Sequence, residues 1–256
     1  MEAPHRSSVF QGLPLLARIG ATGFLAAAAL GLYASLRQIE HHHAKNDGQP
    51  DLSYTDLMGA YHGAHIDSPM RAALLGTLPG HTNLGLEPAE REALLAWLDD
   101  GRAAEVFDDI DRGDLAPVEI LARRCDSCHT DGGAAAAFDD FAAVKPLLSD
   151  KQLVPTPVDI VWTSLHTHAP AMFGYGFVLC LAALLTRHGR LLRSAPMALA
   201  GTGLALDVGA WIPARESALL VASIATGGAL FSLGCVLALF VVLHDVWWPA
   251  RRAPGA

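Results

Sequence analysis

Four long apolar runs constrain this chain more than any other feature. Residues 19–36 are apolar or small apart from Thr22, Tyr33 and Ser35, and further runs cover about 161–185, 195–212 and 217–243. Each has about the 17 to 25 residues that a membrane-crossing helix requires. Only 17% of the chain is charged and 52% is hydrophobic, against about 25% charged in an average soluble domain. The expected class is all-α, with four transmembrane helices and a large external segment between the first two. The first run has the length of a retained anchor and lacks a clear A-x-A cleavage site, which argues against a removed signal peptide.

Charge sets the orientation. From Arg37 to His168 there are 10 Lys and Arg against 22 Asp and Glu, a formal −12; the rest holds 8 against 4, or +4, for a total of −8. Seven of those eight basic residues (Arg6, Arg18, Arg187, Arg190, Arg193, Arg251 and Arg252) fall at the termini or in the loop between the second and third runs. Only Arg215 falls on the other side. Basic residues collect on the cytoplasmic side of a membrane protein. Both termini are therefore expected in the cytoplasm, and the acidic segment in the periplasm of a bacterium. The expected division is 1–36, a tail and anchor helix; 37–160, a periplasmic helical domain; and 161–256, a three-helix membrane domain with a cytoplasmic C-terminus.

Within the acidic segment stands Cys125-Asp126-Ser127-Cys128-His129. This C-x-x-C-H pattern is the attachment motif of c-type haem. Two thiols three residues apart can form thioethers with the two vinyl groups of one porphyrin, and the adjacent imidazole meets the iron. A zinc site needs about two more Cys or His ligands, and the other cysteines, Cys180 and Cys235, lie in apolar runs. A thioredoxin-like dithiol expects a βαβ context, which the pattern lacks. The expected cofactor is one covalent haem c on Cys125 and Cys128, with His129 on the iron. Bacterial haem c is attached outside the membrane, where the charge pattern independently puts Cys125.

The external segment reads as short helices. Residues 41–50 read as a polar linker. Ser53 and Asp56 form a capping-box-like start to a helix through about Tyr61. Ser68-Pro69 starts another, with Leu74, Leu75 and Leu78 as its stripe. Residues 76–87 form a Gly/Pro-rich loop. Residues 88–100 predict a helix with Ala93, Leu94, Trp97 and Leu98 on one face; 117–124 leads into the motif, and 139–148 makes one more helix. No strand-like alternation is visible. A domain this small is expected to take much of its core from haem.

A six-coordinate iron needs a ligand opposite His129, commonly Met or His. No Met lies between His129 and the second apolar run, and Met172 falls in that run's first turns. The external candidates are Met58, His62, His65, Met70, His81, His166 and His168. His81 is preferred, because its flexible loop can fold over a porphyrin face. His62 and His65, three apart, share a face if helical. An open, five-coordinate iron would point instead to ligand binding or sensing.

A second cluster stands at the membrane surface. If Pro170 is the first helical residue, His166 and His168 point to one side of an extended chain and can chelate a metal or flank a haem or quinone. If the helix begins near Pro157, they point about 200° apart. Asp207, one turn before Trp211, is an ionisable residue inside an apolar run and thus a functional candidate, as a proton-linked partner of His168. Pairing with Arg215, or interfacial anchoring by His and Trp, is the plainer reading. On the last run, Ser223 with Gly227 and Gly228 with Ser232 allow close helix approach.

The order of anchor helix, helical segment, Cys125-x-x-Cys128-His129 and His166-x-His168 before a three-helix section resembles a family of bacterial membrane-bound monohaem c-type cytochromes. The resemblance implies haem attachment at Cys125 and Cys128 and iron ligation by His129. Members often carry Met where this chain has Gly80-His81-Thr82.

The expected function is a membrane-anchored carrier of single electrons at the periplasmic face of the inner membrane. The alternatives are the cytochrome subunit of a quinol-oxidising or terminal-reductase complex, and a haem-based redox or gas sensor. Expected partners are the lipid bilayer and a redox protein, either a basic cytochrome steered by the acidic segment or a membrane oxidoreductase. The acidic balance gives no reason to expect nucleic acid.

Overall fold

The computed structural model describes residues 9–48, 50–129, 138 and 140–248. The elements run α1 (Leu15–His43), α2 (Tyr54–Tyr61), β1 (Ala64–Ile66), α3 (Pro69–Leu74), α4 (Pro88–Asp99), α5 (Ala103–Val106), α6 (Pro117–Arg124), α7 (Phe141–Val144), β2 (Lys151–Leu153), α8 (Val158–Leu184), α9 (Arg190–Ala210) and α10 (Leu219–Trp247). The fold is mostly helical. Two compact units emerge, one of Met1–Ala64 with Leu153–Ala256 and one of His65–Gln152. The division falls at 64 and 153, inside the pair of short strands, so α2 belongs to the helical bundle. At three residues each, β1 and β2 are too short to show alternation in sequence, and they pair as a two-stranded sheet.

In the first unit, α1, α8 and α10 are long and apolar enough to cross a membrane. Among the described residues, α9 does not join them. It has 21 residues, begins with Arg190 and Arg193, and carries Asp207 near its end. The three long helices turn apolar side chains outward: Phe24 is 82% exposed and Phe240 74%. An exposed apolar surface of this kind is rare on soluble monomers.

Helix boundaries depart from expectation at two places that matter for the histidines. The His41–His43 run is the last turn of α1 rather than a linker. Histidines at a helix C-terminus suit its dipole; the chain leaves the helix at Ala44, which is extended, and Lys45 follows at φ 74°. Likewise α8 begins at Val158 and passes through Pro170; proline removes one backbone bond from a helix, and this one continues past it.

Glycine decides how α9 meets α10. A Cβ on Gly203 would stand 2.3 Å from the Phe231 nitrogen, one on Gly227 2.4 Å from the Asp207 nitrogen, and one on Gly234 2.5 Å from the Ala200 nitrogen. The two backbones touch, and no side chain fits between them. Cys180, Ala183, Cys235 and Ala238 fill the adjoining core as small packing residues. At the end where α8 finishes, Arg187 pairs with the fully buried Asp245 at 3.3 Å.

The second unit closes on its own apolar core. Leu94, Trp97, Ile120, Leu121 and Val144 are fully buried, joined by Leu74 and Met70. The Trp97 indole N–H donates to the Ala103 carbonyl at 2.8 Å. Cys125 of the C-x-x-C-H motif packs against the edge of this core. The helix expected over 139–148 is broken: α7 gives way to a 3-10 turn over Lys145–Leu147, because Pro146 cannot extend the helical ladder. The capping box of α2 is present, with Ser53 Oγ accepting from the Asp56 N–H and Asp56 Oδ2 from the Ser53 N–H, both at 3.0 Å.

Candidate functional site

The C-x-x-C-H motif occupies the turn that ends α6. The Cys125 N–H closes the helix on the Leu121 carbonyl at 2.8 Å, and the Cys128 and His129 N–H groups both return to the Cys125 carbonyl at 3.0 Å. One thiol, Cys125, packs against the edge of the apolar core, while Cys128 is exposed. Burial, with help from Asp126 and Cys128, pushes the Cys125 thiol up to about 11. Asp126 Oδ1 is buried without a hydrogen-bond partner among the described residues.

Glu90 fixes the approach to this turn. Its carboxylate accepts from Arg124 at 2.9 Å and from Arg123 at 3.3 Å. It also accepts the Glu87 N–H at 2.9 Å, capping α4. The backbone bond from Glu87 chiefly, and then the two guanidinium groups, hold its carboxyl below the usual range. The helix carrying the motif is thus tied to α4 by a nearly buried acid.

His81 comes to the motif on a tight turn. Leu78, Pro79, Gly80 and His81 close through the His81 N–H on the Leu78 carbonyl at 3.0 Å. Gly80 has φ 84°, the left-handed position that a type II turn reserves for glycine, after proline. The His81 ring centroid lies 6.2 Å from that of His129. His81 Nδ1 is 3.3 Å from the Pro79 carbonyl; when Nδ1 carries the proton and donates there, Nε2 presents the lone pair. Phe138 stacks on His129 at 4.1 Å and 25°.

The other proposed ligands go elsewhere. Met70 is locked in the core of this unit. Met58 packs beside Leu57 and Tyr61, and Met172 lies against the bundle core. His62 and His65 do not share a helix face, because α2 ends at Tyr61. His62 is its C-cap, with Nδ1 at 3.1 Å from the Ala214 and Arg215 carbonyls. His65 lies in β1 with Nε2 at 3.4 Å from Asp150 and 3.6 Å from Asp67.

His166 and His168 also fail to converge. Both lie inside α8 and are exposed, and two residues of helix turn them about 200° apart. Shared chelation of a metal or second haem by this pair is therefore corrected. His168 alone reaches the bundle's polar cluster, its ring 6.1 Å from that of Trp211. Asp207 is buried and accepts the Trp211 indole N–H at 2.9 Å. It does not pair with Arg215, whose guanidinium donates to the Thr156 carbonyl. The Tyr61 ring lies 6.1 Å from Trp211, and His43 6.3 Å from Tyr61. Burial chiefly, and the Asp207 charge, push the Tyr61 hydroxyl well above its ordinary value. Tyr61 and His43 carried no sequence signal beyond residue type, since their partners lie far along the chain.

Among the described residues, no group of three or more His, Cys, Asp or Glu side chains is arranged to hold a metal ion. The donor set at Cys125, Cys128, His129 and His81 does fit a haem: two thiols on one turn, with two imidazoles near each other. No protein-family model matches the chain, and no curated protein or solved structure does.

Proposed function

We propose that the chain is a membrane-anchored c-type cytochrome carrying single electrons at the periplasmic face of a bacterial inner membrane. Cys125 and Cys128 would hold haem c covalently, and the imidazoles of His129 and His81 would serve as its iron ligands. The observation that carries this reading is the His81–His129 spacing of 6.2 Å, in the same unit as the paired thiols. A first-row metal holds imidazole nitrogen at about 2 Å, so the centroids of two rings sharing one iron would stand about 6 Å apart. Haem when bound supplies a reversible one-electron couple, and bis-His ligation favours a lower potential than His/Met.

The protein's own residues hold and orient. Phe138 against the His129 face limits rotation of that ring, and the Pro79–Gly80 turn presents His81. Glu90, through Arg123 and Arg124, fixes the helix that ends in the motif. In this reading α9 is a fourth span, its Arg190 and Arg193 on the cytoplasmic side with both termini. The acidic segment then faces the periplasm and a basic redox partner. A second imidazole 6.2 Å from His129 favours electron carriage over an open-iron gas sensor.

Purified protein is expected to give a c-type pyridine haemochrome that survives acid-acetone extraction. Its spectrum is low-spin, without a near-infrared Met band. The His81→Ala variant is expected to keep covalent haem, turn high-spin and bind carbon monoxide. A His81→Ala variant that stays low-spin and unreactive would remove His81 from the iron; absence of covalent haem from the wild type would end the proposal.

A further inference from the structure

We propose that the helical bundle binds the head group of a lipid-soluble hydroquinone at Asp207, Trp211, Tyr61 and His168. The inference goes beyond electron carriage by the Cys125–His129 unit, and it concerns binding alone.

Asp207 is the key residue. It is only 7% exposed, and only one of its carboxylate oxygens is satisfied, Oδ1 by the Trp211 indole at 2.9 Å. Oδ2 makes no hydrogen bond among the described residues. On the facing helix Gly228 puts no side chain against it; a Cβ there would meet Oδ2 in ordinary contact at 3.6 Å. Oδ2 is not among the fully buried polar atoms, so a ligand O–H can reach it and donate to it.

The surroundings define the donor's class. Trp211 and Tyr61 pack on each other beside Asp207, 6.1 Å apart and tilted by 47°, an aromatic edge that suits an uncharged ring. The exposed His168 ring stands at the rim, 6.1 Å from Trp211, where its imidazole can accept a second O–H. A hard cation needs about six oxygen ligands, and Asp207 is the one carboxylate in this cluster. Gly227 and Gly228, against which Asp207 packs, lie about 12 Å along α10 from its start at 1.5 Å per residue, and His168 about 15 Å along α8. Both helices are apolar enough to cross a membrane, so the site lies within the apolar length of the bundle. A ligand with two hydroxyls on a flat ring and a lipid tail meets each of these conditions.

The test is photoaffinity labelling of the full-length protein in detergent with an azido-ubiquinone, competed by decylubiquinol. The expected label falls in peptides containing His168 and residues 203–215, and excess decylubiquinol displaces it. Asp207→Asn, which keeps an acceptor for Trp211, is expected to weaken competition roughly tenfold or more; His168→Ala is expected to weaken it less. Label spread along α1, α8 and α10 and indifferent to competitor would overturn the site. So would a competition curve unchanged in Asp207→Asn, or displacement by sodium or calcium ions in place of decylubiquinol. The wild-type competition requires no variant to fold. Repeating it with Cys125→Ala/Cys128→Ala, which cannot attach haem, separates failure here from failure of the cytochrome reading.

Discussion

His81 and His129 are each presented by a local device, one by a proline–glycine turn and the other by a helix end. The motif's thiols differ for an equally local reason: Cys125 abuts the core and Cys128 meets solvent. That difference is measurable in protein made without haem attachment. With its thiol pushed up to about 11, Cys125 carries about one thiolate in a thousand at pH 8. Iodoacetamide is expected to modify Cys128 first. The Cys125 rate should climb about tenfold per pH unit until the pH passes about 11, because only the thiolate reacts. Equal rates at pH 8 would contradict the burial of Cys125.

Among the elements, the α9–α10 pair is the most demanding. Gly203, Gly227 and Gly234 each face backbone at distances that no Cβ tolerates. A Gly227→Ala substitution must push the helices apart and displace Asp207, whose nitrogen is the nearest atom. Overpacking typically costs about 1–3 kcal/mol, and contact with backbone puts this site at the upper end. Thermal unfolding in detergent should show a lower midpoint for Gly227→Ala. Gly201→Ala, with open space around its Cβ, should remain close to wild type. Matching midpoints would show that the crossing is looser than described. The Gly227 position was legible from its small-residue spacing with Ser223. Gly203 and Gly234 were not, because spacing along one helix says nothing of which face meets the neighbour.

At the scale of the molecule, charge and apolar surface are segregated. Residues 65–152 hold 8 Lys and Arg against 17 Asp and Glu, a formal −9, while the long helices expose Phe24 and Phe240. If this unit exchanges electrons with a basic protein, electrostatic steering raises the encounter rate by about tenfold or more at low salt. The Debye length shortens from about 30 Å at 0.01 M to about 10 Å at 0.1 M salt. The second-order rate with a cationic cytochrome is therefore expected to fall at least about tenfold between those conditions and about 0.5 M. A rate independent of salt would count against a basic partner.

The amino-acid sequence by itself determined the helical class, the long apolar helices, the acidic segment, the α2 capping box, the helix at 88–99 and the paired thiols beside His129. These follow from residue type, short-range periodicity and covalent spacing, which act within a few residues. Tertiary structure alone decided that His81 stands beside His129, that His166 and His168 diverge on a helix running through Pro170, and that Asp207 bonds Trp211 rather than Arg215. It also decided that Tyr61 and His43 join that cluster and that the two three-residue strands pair. The His81, Tyr61, His43 and strand contacts join segments far apart in the chain, where packing chooses among locally equivalent conformations; Asp207 and Trp211 lie one turn apart on the same helix, and there packing decided only that Arg215 turned to Thr156.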